Sequence, residues 1–147
     1  MKKFTFRLQA VLDMREKELE KKQQEMASIL KMLNTQNEQL EMIKAKAAQT
    51  LVTLENIGNS SVIDVTAITS SSGYLNKLAI DERKQEQVIE NTKNIQRLKQ
   101  LEINEIYKKV KILEKLKETQ EEKYYKELEE KQAKEIDDIV TARYKVS

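Results

Sequence analysis

From Leu8 the chain steps in alternating fours and threes through fifteen positions: Leu8, Leu12, Arg15, Leu19, Lys22, Met26, Ile29, Leu33, Gln36, Leu40, Ile43, Ala47, Thr50, Leu54 and Ile57. Eleven of the fifteen are apolar, and the run covers seven heptads without a change of register. An apolar residue every 3.5 positions holds one face of a helix against a partner along its length, so this half of the chain reads as one long helix packed on another. Arg15, Lys22 and Gln36, together with Thr50, interrupt the stripe. Polar residues at such a seam set register or orientation at some cost in stability.

Composition supports long helices and argues against chemistry. There is no proline and there are only two glycines in 147 residues, while 35% of the residues are charged. Proline is the strongest helix breaker, and the Ala, Leu, Glu, Lys, Gln and Arg that dominate here are the best formers. Helices of this kind bury a narrow stripe, which leaves no depth for a pocket of converging polar groups. The chain has no histidine and no cysteine, so it lacks the usual near-neutral acid and base, the thiolate nucleophile and the preferred zinc ligands. Its 25 carboxylates are scattered among 27 lysines and arginines, as on a solvated surface. We therefore expect no enzyme, no metal and no cofactor. The net charge of +2 is too small to make nucleic acid a partner. Phe4-Thr5-Phe6-Arg7 is too short for a signal-peptide core, and no stretch holds the roughly 18 apolar residues that a membrane span needs. The reading is a cytoplasmic chain, on which Asn59-Ser60-Ser61 matches a glycosylation pattern by chance. Along the second half a basic run, Lys108 to Lys117, precedes the acidic Glu118-Thr119-Gln120-Glu121-Glu122. Two readings fit it: solvated faces that fix helix pairing, or a patch for a charged partner.

The heptads stop at Gly58-Asn59-Ser60-Ser61, and Ser70-Ser71-Ser72-Gly73 marks a second break. Gly58 suits a helix C-cap, and Ser70, Ser71 or Ser72 suits the start of the next helix. Beyond, apolar residues at Tyr74, Leu78, Val88, Ile95, Leu98, Ile106, Val110, Leu113, Tyr124, Leu128, Ile136 and Ile139 trace a less regular stripe, with steps that imply stutters. Leu101, Ile103, Tyr107, Ile112, Leu116 and Tyr125 lie beside it. The expectation is an all-α fold, one elongated coiled-coil domain over residues 1–147. Its two helices form an antiparallel hairpin: a helix at about 5–57, a turn at about 58–73 and a longer helix at about 74–144. At 1.5 Å per residue the helices would be roughly 75 and 105 Å long. With the turn centred near Val65, Leu8 falls opposite Lys123, and the second helix outruns its partner. That overhang still carries Leu128, Ile136, Ile139 and Val140 at helical spacing, as a surface meant for another protein would. Packing on a folded-back N-terminus, or a dimer, would use the same stripe.

The only two phenylalanines, Phe4 and Phe6, sit at this open end. Large aromatics there act as a staple on Tyr124 or Leu128, or as anchors for a partner with a pocket.

Phe4-x-Phe6-Arg7-Leu8-Gln9-x-Val11-Leu12-x-x-Arg15, a long heptad helix, a serine-rich turn, Tyr74-Leu75-x-x-Leu78, and the tail from Glu130-Lys131-Gln132 to Ile136-Asp137-Asp138-Ile139 together resemble the flagellar export protein FliJ family. The resemblance covers essentially the whole chain. It implies an antiparallel coiled coil similar to the central stalk of rotary ATPases, without ATPase activity of its own, and no GxxxxGK[ST] occurs here. It implies three kinds of partner: the flagellar export ATPase hexamer, the cytoplasmic domain of the membrane export gate, and export chaperones. It also implies a place at the cytoplasmic face of the membrane at the flagellar base, without insertion into the bilayer. Carried onto this chain, the ATPase-ring residues would be Phe4, Phe6, Arg7, Leu8, Arg15, Ile136, Ile139 and Arg143. The export-gate residues would be Tyr74, Leu78, Asp81 and Gln85, on one helix face at i, i+4, i+7 and i+11.

Other readings remain open. The stalk of a virulence-type secretion system would share the fold. A generic coiled-coil tether would pair its seam between chains, whereas the Gly/Ser turn favours pairing within one. A helical chaperone gripping clients between its arms is a third.

Overall fold

The structure, a computed structural model, describes residues 3–146. Two helices account for nearly all of them: α1, Gln9–Gly58, and α2, Val65–Val146. They form an antiparallel hairpin in which α2, with 82 residues, is longer than α1, with 50, and no strand occurs among the described residues. No helix is long and apolar enough to cross a membrane among those residues. The chain divides into two compact units, one made of Met1–Lys21 with Glu102–Ser147 and the other of Lys22–Leu101.

In α1 the seam reads as the heptads predict. Of its fifteen positions only Leu8 is exposed, and only by 37%; the other fourteen are buried or half-buried. The start differs: α1 begins at Gln9, not at about residue 5, because the chain turns at Arg7 and Leu8 and the Gln9 N–H donates to the Phe6 carbonyl at 3.1 Å.

The turn is shorter than expected, residues 59–64 in place of 58–73. Asp64 is the reason. Its Oδ1 accepts from the Ala67 N–H at 3.2 Å and its carbonyl from the Ile68 N–H at 3.1 Å, which is an N-cap. The helix therefore starts nine residues ahead of Tyr74, and the serines fall inside it. Thr69 is held there as well, its hydroxyl donating to the Val65 carbonyl at 2.9 Å. Gly58 is not a left-handed cap either, since neither glycine has positive φ. Instead the last turn of α1 closes through Asn59 N–H to the Glu55 carbonyl and Ser60 N–H to the Ile57 carbonyl.

The stripe of α2 also needs correction. Its seam runs in unbroken threes and fours: Ile68, Ser71, Leu75, Leu78, Glu82, Gln85, Ile89, Thr92, Gln96, Lys99, Ile103, Ile106, Val110, Leu113 and Lys117, all buried or half-buried. There are no stutters. Tyr74, Val88, Ile95 and Leu98, read as stripe residues, stand one position before seam residues and are 40–63% exposed. One continuous register seats Leu75, Leu78, Ile89, Ile103, Ile106, Val110 and Leu113 together. It accepts polar residues between them, provided that these find partners.

Those partners are seen in the Lys22–Leu101 unit. Lys99 donates to Glu25 at 2.7 Å, and Lys22 stands 3.7 Å from the same carboxylate. The Gln85 amide donates to the Gln36 carbonyl at 2.9 Å and to Gln39 Oε1 at 3.2 Å. Thr92, 5% exposed, donates to the Val88 carbonyl. Met26, Leu78 and Ile89 are the buried aliphatics of this unit. Each fully buried side chain of this size contributes about 1.5–3 kcal/mol.

The other unit has the denser core. Phe6, Leu12, Ile106 and Val110, exposed by 2–6%, form one cluster, with Phe4, Leu19 and Leu113 packed against it. With Leu12 among Ile106 and Val110, antiparallel pairing sets Leu8 opposite about residue 114, short of the expected Lys123 by about nine residues. More of α2 therefore lies beyond its partner. From Glu129 to Lys145 every residue is exposed.

Candidate binding surfaces

The end of the hairpin that carries the N-terminal segment is built around the two phenylalanines. Phe6 is 5% exposed and belongs to the core cluster, so it is a staple. Phe4 packs on Tyr124, ring centroids 5.7 Å apart and tilted by 48°, and Tyr124 in turn meets Tyr125 edge-on at 5.3 Å. Tilted and edge-on geometries are those that aromatic quadrupoles favour. Arg7 is exposed, Leu8 is 37% exposed, and Arg15 is half-buried with its guanidinium donating to Glu18 at 3.0 Å.

On α2 of the same unit, Ile136 and Ile139 are 63% and 55% exposed, and Arg143 is exposed. Arg143 and Lys145 lie in the last turn, where cations complement the helix dipole. Val140 and Tyr144, 58% and 84% exposed, continue the apolar face at i+4 steps from Ile136. Tyr144 was not among the residues expected at this surface, although its i+4 spacing from Val140 is visible in the sequence.

Charge here is mostly held in local pairs. Lys108 with Glu105, Lys111 with Glu114 and Lys115 with Glu118 are exposed i,i+3 pairs at 3.2–3.9 Å, so the basic run is a solvated face. Lys111 also stands 5.2 Å over the Tyr107 ring. The hydrogen bond to Glu114, that carboxylate's charge and Tyr107 hold its ammonium above the ordinary lysine value. The raised pKa favours the protonated pair, whose stabilisation is present below pH 10.5 and is lost only as pH climbs past the raised value.

In the other unit the four residues at i, i+4, i+7 and i+11 divide between seam and flank. Leu78 is 4% exposed and Gln85 is bonded to Gln36 and Gln39, so both are occupied within the hairpin. Tyr74 is 40% exposed and Asp81 is half-buried, on the flank of the seam. Beside Tyr74 lies a shallow groove lined by Thr50, Thr53, Ser70 and Ser71. This groove could not be foreseen while Ser70 and Ser71 were read as turn. Among the described residues no three His, Cys, Asp or Glu side chains come together as a metal site requires.

Two helices of unequal length, a seam built on seven heptads and an aromatic staple before the first of them are the features that the N-terminal motif implied. The family described as Flagellar FliJ protein matches residues 3–147. The chain belongs to that family. No curated protein and no solved structure matches it. The FliJ family is a non-catalytic component of flagellar protein export, and membership in it implies a stalk component of that apparatus. The two residue sets carried over from FliJ fall in separate units: Phe4 to Arg15 with Ile136 to Arg143 in one, Tyr74 to Gln85 in the other.

Proposed function

We propose that the unit formed by the N-terminal segment and the far end of α2 enters the hexameric ring of the flagellar export ATPase. On the same reading, the flank of α2 at Tyr74 and Asp81 meets the cytoplasmic domain of the export gate. The observation that carries this reading is the stretch from Glu129 to Lys145, exposed throughout yet still bearing Ile136, Ile139 and Val140 at helical spacing. A solvated helix needs no such stripe, whereas a helix inserted into a partner's groove uses i, i+3 and i+4 apolar anchors. Arg7 and Arg143, both exposed and in the same unit, are suited to pair with ring carboxylates.

A stalk has no chemistry of its own to contribute. It promotes ring assembly and couples hydrolysis to export by binding one conformation of the ATPase subunits better than another, a factor of ten for every 1.4 kcal/mol of preference. The gate contact would hold the complex at the cytoplasmic face of the membrane, and export chaperones would be further partners. Phe6 and Leu78 serve this reading by keeping the hairpin closed, and Phe4, Leu8 and Arg15 lie at its margin.

Co-sedimentation with the purified ATPase and, separately, with the gate's cytoplasmic domain tests both contacts. Ile136→Asp/Ile139→Asp abolishes the first and spares the second; Tyr74→Ala/Asp81→Lys does the reverse. If both variants keep both contacts, the assignment of these surfaces is wrong.

A further inference from the structure

Within the Lys22–Leu101 unit, α2 carries two rows of residues suited to the seam, and the row it buries is the more polar. The seam positions over its last three turns in this unit are Ile89, Thr92, Gln96 and Lys99, of which only Ile89 is apolar. One residue ahead of each stand Val88, Asn91, Ile95 and Leu98, and three of these are apolar. Val88, Ile95 and Leu98 are nevertheless 42–63% exposed, whereas Thr92 is buried and Gln96 and Lys99 are half-buried. Polar groups are costly to bury unless each finds a partner, so the more apolar row beside them competes for the same place.

Few contacts hold the buried row. Lys99 donates to Glu25 at 2.7 Å, and the Thr92 hydroxyl is satisfied on its own helix, at the Val88 carbonyl. The Gln85 amide donates to the Gln36 carbonyl, while Gln36 Oε1 is buried with no hydrogen-bond partner. On α1, Ile29 and Leu33 are only half-buried at their seam positions, so apolar surface is still to be covered there. Register is loosely pinned as well, because the seven residues from Asp81 to Gln87 are all polar.

We infer that residues 88–99 of α2 have a second seating on α1, reached by turning through about 100°, the angle of one helical residue. Val88, Ile95 and Leu98 then take the seam positions of Ile89, Gln96 and Lys99, and the Lys99–Glu25 bond is exchanged for aliphatic burial. With Leu78 and Ile106 in place, ten residues lead from Leu78 to Val88 where eleven now lead to Ile89, and eight lead from Leu98 to Ile106 where seven now lead from Lys99. These are two compensating changes of winding, of the kind that stutters introduce. Packed interfaces take discrete arrangements, so the segment has two seats and not a continuous range. A ligand that covers Val88, Ile95 and Leu98 in their exposed state draws it to the first seat, which makes the segment a switch that binding biases. The inference does not rest on the ring or the gate reading.

Methyl relaxation dispersion on the full chain, which reads the μs–ms timescale of helix register shifts, tests it, with helicity followed by circular dichroism. The expected result is exchange with one shared rate at the methyls of Ile89, Ile95 and Leu98, to a minor state of about 0.1–10%. Lys99→Glu sets like charge on Glu25 and raises that population at least about tenfold. Thr92→Val/Gln96→Leu/Lys99→Leu makes the buried row apolar, raises the unfolding midpoint and removes the exchange. Val88→Gln/Ile95→Gln/Leu98→Gln alters only residues exposed in the first seating, so it keeps the midpoint and also removes the exchange at Ile89. Simple loosening of the first seating would survive that last substitution. A wild-type chain without exchange at these methyls, or exchange at Ile89 that persists in the glutamine variant, would overturn the second seating.

Discussion

Phe6 and Phe4 differ by two positions and in burial, the first inside the core cluster and the second at its edge, and that difference sets their roles. Phe6 lies in a cluster with Leu12, Ile106 and Val110, so Phe6→Ala leaves a cavity and costs about 3–5 kcal/mol. Phe4 makes one tilted ring contact with Tyr124 and remains half-buried, so Phe4→Ala costs about 1 kcal/mol. Urea unfolding of the two variants reads this gap directly, and equal losses would mean that the staple is not centred on Phe6. The residue types alone allowed either a staple or a binding tip. What separates the readings is where the chain turns before Gln9, and a single hydrogen bond from that residue's N–H to Phe6 decides it.

The helices show how much of the fold was legible in the residues. In α1 the aliphatics recur on one face often enough that apolar spacing and burial coincide from Leu12 to Ile57. In α2 they do not. Glu82, Gln85, Thr92, Gln96 and Lys99 hold seam positions while Val88, Ile95 and Leu98 stand outside, so a reading that follows hydrophobicity drifts to the wrong face. The seam there is set by partners on α1, such as Glu25 for Lys99, and no pattern within α2 discloses them. The turn was misjudged for a related reason: serine and threonine favour turns, yet Asp64 supplies a cap and the hydroxyl of Thr69 satisfies itself on its own helix. Asp64→Ala removes that cap at a cost of about 1 kcal/mol. Hydrogen exchange should then speed up at residues 67–69 with little change beyond Leu78, and unchanged exchange would show that the helix start is held by something other than Asp64.

At the scale of the whole molecule, a chain without histidine or cysteine has its surfaces to work with, and the FliJ family membership says in which apparatus they act. The overhang of α2 was visible from unequal helix lengths, and the structure lengthens it, because the position opposite Leu8 lies about nine residues closer to the turn. Which proteins cover the exposed faces is a property of those proteins as much as of this one. The most direct measurement is the turnover and oligomeric state of the flagellar export ATPase with the wild-type chain and with Ile136→Asp/Ile139→Asp. That variant alters exposed positions and leaves the Phe6 cluster intact. The account predicts that the wild type promotes hexamers and raises turnover, while the variant keeps its unfolding midpoint and does neither. A variant that stimulates as well as the wild type, or a wild type without effect, would contradict it.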